Sequence, residues 1–209
     1  MPGCRDALLI RFRMEKRVDK YASQSNKGET GRVMNMDSVE CSLAVEECGD
    51  GIELWTLNDP KEGNQVSDST MVDAIVDNVD RVSRDNEVKC VVLTGAGSVF
   101  SAGGNIKEMR DKTGMFSGDV DDIARGYRDG IQRVPIALSK TTVPFVAAVN
   151  GPAVGAGMDL ALMCDLRVAA EGAWFAASFV QLGLVPGDGG AWVLPRIVGR
   201  AQALEALHK

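Results

Sequence analysis

Histidine is almost missing from this chain: His208, next to the last of 209 residues, is the only one. A Ser-His or Cys-His nucleophilic site is therefore not expected, nor is a histidine-based zinc site, and no metal is implied. Acid–base chemistry near neutral pH falls to Asp, Glu, Lys, Tyr or Cys. A carboxylate would need burial to raise its pKa into that range. Five cysteines (Cys4, Cys41, Cys48, Cys90 and Cys164) form an odd set without a C-x-x-C pair. That usage fits a reducing, cytoplasmic compartment better than a disulfide framework, and Cys90 and Cys164 read as small core residues. No apolar run reaches spanning length, so no membrane helix is expected. A basic surplus is absent as well: 23 Lys/Arg against 29 Asp/Glu give a net charge of −6. Nucleic acid is accordingly not an expected partner. Gly95-Ala-Gly97 after a strand-like run lacks the third glycine of a dinucleotide fingerprint, because Phe100 occupies its place.

What is present suits one domain with a substantial core, since 45% of the residues are hydrophobic. Charge is unevenly spread. Residues 1–36 hold eight Lys/Arg and four Asp/Glu, leaving an acidic body. The leader is rich in Arg and Ser like a transit peptide, but its acids (Asp6, Glu15, Asp19, Glu29) argue against one. Residues 1–36 are expected to be a disordered basic extension and 37–209 a folded domain.

Residues 42–47 and 52–57 alternate apolar and polar around Gly49-Asp50-Gly51, which predicts a hairpin. Ser67 or Asp68 caps a helix whose apolar face is Met71, Ile75, Val79 and Val82. Residues 88–93 and 143–149 read as buried strands. Helices are expected over 106–110, 123–140 (with Pro135 inside), 155–164 and 190–197, with a mobile loop at 114–122 and short strands at 166–170 and 174–176. Strands alternating with helices indicate an α/β domain.

Two glycine-rich segments follow the buried strands: 89–105 (KCVVLTGAGSVFSAGGN) and 143–159 (VPFVAAVNGPAVGAGMD). Glycine lets backbone N–H groups approach a ligand, and a helix N-terminus adds unpaired donors with a partial positive charge. Two such places converging on one oxygen would form an oxyanion hole. Gly151, Gly155 and Gly157 are also open to a plainer reading, as contacts for tight helix–strand packing.

Residues 101–109 (SAGGNIKEM), 150–165 (NGPAVGAGMDLALMCD), 182–190 (LGLVPGDGG) and 194–199 (LPRIVG) resemble, in order, landmarks of the crotonase family, the enoyl-CoA hydratase/isomerase group. Asn58-Asp-Pro-Lys61 resembles an early turn of the same family. The resemblance covers roughly residues 40–207. It implies a crotonase-like spiral of ββα units around an acyl-CoA cleft, and enzymes that stabilise a thioester enolate with two backbone N–H groups. Those donors fall on Gly104 and Ala156. Ala102, Gly103, Asn105, Ile106 and Lys107 would border CoA, which arrives as part of the substrate, and no other cofactor is implied.

The resemblance places one hydratase carboxylate on Asp159 and the second on Phe179, which cannot activate water and would instead line the acyl pocket. Asp188 could replace the lost carboxylate, giving an Asp159/Asp188 proton-moving pair. Both have plainer readings: Asp159 as complement to its helix dipole, Asp188 as an N-cap. Asp165 is expected to be a structural hydrogen-bonder. Trp174, Phe175 and Trp192 are expected, with Phe179, to flank the pocket. The family normally continues as a C-terminal helical region that builds a homotrimer or hexamer, so that region is expected to be absent or truncated here. Hydration or double-bond isomerisation of an enoyl-CoA is the implied reaction. A non-catalytic acyl-CoA-binding or assembly protein and a hydrolase or decarboxylase of the same family remain as alternatives.

Overall fold

The computed structural model describes residues 42–208, so the extension expected at 1–36 lies outside the described residues. Strands β1 (Leu43–Glu47) and β2 (Ile52–Leu57) form the predicted antiparallel hairpin. Gly49, Asp50 and Gly51 all take positive φ at its turn. Helix α1 (Ser69–Val82) starts at Asp68, whose carboxylate accepts the N–H groups of Thr70 and Met71. It buries Met71, Val72, Ile75, Val79 and Val82, the face that the 3.6-residue spacing dictates. Strand β3 (Cys90–Gly95) adds in parallel to β2, followed by β4 (Phe145–Val149) and β6 (Leu166–Ala169). The sheet order is β1-β2-β3-β4-β6.

One face of this sheet supplies Trp55, Leu57, Val91, Leu93, Phe145, Ala147 and Val149 to the core cluster that α1 joins. The other face is only half-buried, although the apolar runs read as strands covered on both sides. Asp165 accepts the Phe145 N–H at 2.8 Å, a structural bond as expected. Strand β5 (Ala153–Val154) pairs in parallel with β7 (Phe175–Ala176) as a second, two-stranded sheet.

The helices differ from expectation in one place. In place of one helix over 123–140 there are α3 (Val120–Asp129) and α4 (Arg133–Leu138), after α2 (Ile106–Asp111) and a 3₁₀ turn at Gly114–Phe116. Gly130 breaks the run with φ −106° and ψ −118°. Pro135 is then the third residue of α4, where a missing N–H leaves no helical bond unmade. Much of the expected loop at 114–122 is ordered: Asp119 and Asp122 form a reciprocal capping box that starts α3. The chain continues through α5 (Ala156–Met163), a 3₁₀ turn at Val180–Leu182, α6 (Gly190–Val198) and α7 (Arg200–His208). No helix among the described residues is long and apolar enough to cross a membrane.

Candidate active site

The first glycine-rich segment is stitched down on both sides. Ala102 N–H donates to Gly63 O at 2.8 Å, Val66 N–H to Gly103 O at 3.0 Å, and Asn105 N–H to Ser67 Oγ at 3.0 Å. On the other side, Ser101 bridges Ala153, and Val154 N–H donates to Ser101 O at 2.9 Å. Buried Asn64 fastens the preceding turn: its Nδ2 donates to Ala96 O at 2.9 Å and Val99 O at 2.8 Å.

This stitching brings Gly103 (φ +85°) against the second segment. A Cβ on Gly103 would stand 2.5 Å from Val154 O and 3.0 Å from Ala156 N. Ala156 opens α5, so its N–H has no intrahelical partner. The second segment's glycines divide between the two roles open to them. A Cβ on Gly151 or Gly157 would strike the carbonyl oxygens of Ser98 or Ser101 at 2.0 and 2.4 Å, so these two serve close packing. Gly155 instead turns the chain at φ +53° with room around it.

Gly104 and Ala156 line one open cleft, about 510 Å³ with the open solvent at its mouth included. Of the residues expected around CoA, Ala102 and Ile106 are on the wall; Gly103, Asn105 and Lys107 are not. Asn105 caps α2 through Lys107 and Glu108 N–H, and Lys107 is exposed beside Glu62 at 3.3 Å. The rest of the wall is largely apolar, including Met109, Met115, Tyr127, Ile131 and Phe179.

Asp188 is the only carboxylate on that wall among the described residues. It is not an N-cap. Gly189 holds the cap position without a side-chain bond, and the Gly190 N–H is taken by Asp159 Oδ2 at 3.1 Å. Asp159 lies in the first turn of α5, a helix buried at nearly every position, so its carboxylate is carried inside with its apolar neighbours. It is 1% exposed and stands off the cleft wall. The Oδ1 atoms of Asp159 and Asp188 are both buried without a hydrogen-bond partner. Burial, and then the charge of Asp188, push Asp159 up to about 7, against the pull of the Gly190 N–H. Burial alone pushes Asp188 up to about 6. Near neutral pH this coupled pair can therefore hold one proton and one charge, as an acid–base group requires.

The sequence pattern of the enoyl-CoA hydratase/isomerase family matches residues 47–209. The chain belongs to that family. Escherichia coli 1,2-epoxyphenylacetyl-CoA isomerase is 39% identical over 155 residues, 74% of this chain and 57% of its own length. A probable enoyl-CoA hydratase of Mycobacterium tuberculosis is 41% identical over 158 residues, 75% of this chain and 58% of its own. The crystal structure of an enoyl-CoA hydratase from Bacillus anthracis matches with a TM-score of 0.72 at 26% identity, over 80% of this chain and 62% of that one. One from Polaromonas sp. gives 0.71 at 32% identity, over 79% and 62%. The chain thus spans a little over half the length of the curated relatives it matches.

Within this member of the family, the aromatic wall is smaller than the sequence suggests. Phe179 is buried and lines the cleft, whereas Trp174 and Trp192 are 41% and 67% exposed and Phe175 pairs in β7. Trp192 carries the Arg196 guanidinium 3.2 Å above its ring, a surface cation–π contact. Sequence reasoning passed over Met109, Met115, Tyr127, Ile131 and Leu184. Met109 and Leu184 sit within the family-like segments 101–109 and 182–190 without having been marked as wall residues, and Met115, Tyr127 and Ile131 belong to no motif.

Proposed function

We propose that this chain acts on an enoyl-CoA thioester, and that it moves the double bond rather than adding water across it. The N–H groups of Gly104 and Ala156 would donate to the thioester oxygen and stabilise the enolate. Asp188, as carboxylate, would take the α-proton of a 3-enoyl thioester. The C–H electrons pass directly into the thioester carbonyl to form a dienolate; they return through the 3,4 double bond as the same carboxyl gives a proton to the γ-carbon, leaving the 2-enoyl thioester. Burial would keep the Asp188 carboxyl basic enough to accept the proton, and Asp159 would stand behind it holding the Gly190 N–H. The CoA portion would run along residues 102–107, with Ala102 and Ile106 on the wall and Gly103, Asn105 and Lys107 beside it.

The observation that carries this reading is the pairing of one unpartnered carboxylate, Asp188, with apolar Phe179 on the same wall. Two-carboxylate hydration needs a second carboxylate on the wall, and neither Phe179 nor the Ser178 hydroxyl beside it supplies one. The exposed free thiol of Cys48 is in keeping with a reducing, cytoplasmic setting. Assembly into trimers or hexamers belongs to the same proposal on condition that the C-terminal helical region is present.

The test is to follow a 3-enoyl-CoA in D₂O by NMR. A 2-enoyl product carrying deuterium is expected, slowed at least about 10²-fold in Asp188→Asn. Accumulation of a 3-hydroxyacyl product would replace isomerisation by hydration. Thioester binding without any exchange would leave an acyl-CoA-binding protein.

A further inference from the structure

The Asp188 side chain makes no hydrogen bond through Oδ1, so its place in the cleft depends on what holds the backbone around it. On the C-terminal side that is Asp159, through Gly190 N–H. On the N-terminal side it is Gln132, whose Nε2 donates to Gly187 O at 2.9 Å across 55 residues of sequence. Tyr127 closes the same spot from above: a Cβ on Gly187 would meet its ring carbons at 3.5 and 3.7 Å and Gln132 Nε2 at 3.9 Å. Gln132 N–H donates to Tyr127 O at 3.1 Å, so the two act as one unit, and Phe116 braces the Tyr127 ring edge-on at 5.9 Å. The break between α3 and α4 at Gly130 is what aims Gln132 at the loop. A continuous helix would have carried it elsewhere.

We infer that Gln132 is a positioning residue, which sets the Asp188 carboxyl against the substrate through the Gly187 carbonyl. This rests on Asp188 being the proton carrier. Gln132 is not on the cleft wall, so its loss should spare binding while displacing the reacting group. The titratable groups that face Asp188 are Asp159 from α5 and Tyr127 from α3, and Tyr127 stays neutral because burial and then the Asp188 charge push its phenol up. A loosened Asp188 would gain water and return toward the ordinary carboxylate range.

The experiment compares the full chain with Gln132→Met, which keeps the length and loses the donor, and Gln132→Asn, which keeps the amide and falls one methylene short. With a 3-enoyl-CoA in D₂O, both should lower kcat about tenfold and leave KM within about twofold. The acidic limb of the kcat profile should move to lower pH in both. Gln132 is half-buried and makes one cross-segment side-chain bond, so the variants should fold; should one of them not, the other decides. Unchanged kcat and pH limb in a folded variant overturn the inference, as does a raised KM with kcat intact. Full activity in Asp188→Asn would instead overturn the reading of Asp188, and the inference with it.

Discussion

A carboxylate carried into an apolar helix loses the water that would stabilise its charge, and Asp159 has one backbone N–H to offset that loss while a second carboxylate nearby adds to it. That arrangement carries a cost that depends on pH. Its folded pKa of about 7 lies above the unfolded value of 3.8, so between those pH values the folded state holds a proton that the unfolded state has released. Stability from this group is full below the lower value and is lost as pH rises through the upper one. Asp159→Asn should therefore flatten the fall in stability between pH 4 and pH 8 by about 2–4 kcal/mol. Urea titrations of both proteins across that range measure it, and an unchanged slope would show that Asp159 is not raised. Asn64 is a second residue with a large expected effect. It is fully buried, with Oδ1 accepting the Asp59 N–H and Nδ2 serving carbonyls near Phe100. Asn64→Ala strands those groups and should destabilise by about 2–4 kcal/mol, read from the same titrations.

At the scale of elements, α5 meets the first glycine-rich segment with no space to spare. Gly157→Ala would drive its methyl against Ser101 O and Cβ. Backbone cannot step aside as a flexible side chain can, so the segment holding Gly104 must shift. A loss of about 2–4 kcal/mol should come with slower α-proton exchange. Gly155→Ala, whose methyl would be 3.9 Å from Phe179, meets no backbone and only the strain of φ +53° with ψ −122°, about 1–3 kcal/mol. Thermal melts should place Gly157→Ala the lower of the two, and equal melts would contradict the packing role of Gly157. The caps and periodicity that placed β1, β2, α1, β3 and β4 are local features of the sequence, so those elements were legible there. The break at Gly130 was not. Helical propensity runs through 123–140, and only a glycine, with a proline five residues on, marked a stop that the packing around Tyr127 and Gln132 turned into a corner.

For the molecule as a whole, the apolar side chains left in water are unevenly placed. Val180, Leu182, Val185, Trp192, Ile197 and Leu204 are exposed within the last thirty residues of the chain, Val185 at 85%. Large apolar groups left exposed favour association. Light scattering should show mass rising with concentration, and Val185→Lys with Trp192→Lys should reduce that rise. A monomer at every concentration in the unsubstituted chain would contradict it.

Most of the order of strands and helices, the family, and the candidacy of Gly104, Ala156, Asp159 and Asp188 could be read from the sequence, because each depends on local spacing or on a short motif; the split of 123–140 and the short strand β5 could not. The tertiary structure decided which of these groups share a surface. Gly104, Ala156 and Asp188 line one cleft, while Asp159 stands behind it and Trp174 and Trp192 face solvent. It also supplied Tyr127 and Gln132, which no motif announces. Their part comes from a bond and a ring contact between segments some 55 residues apart. Such contacts are fixed by how the elements pack, and neighbouring residues in the chain carry no record of them.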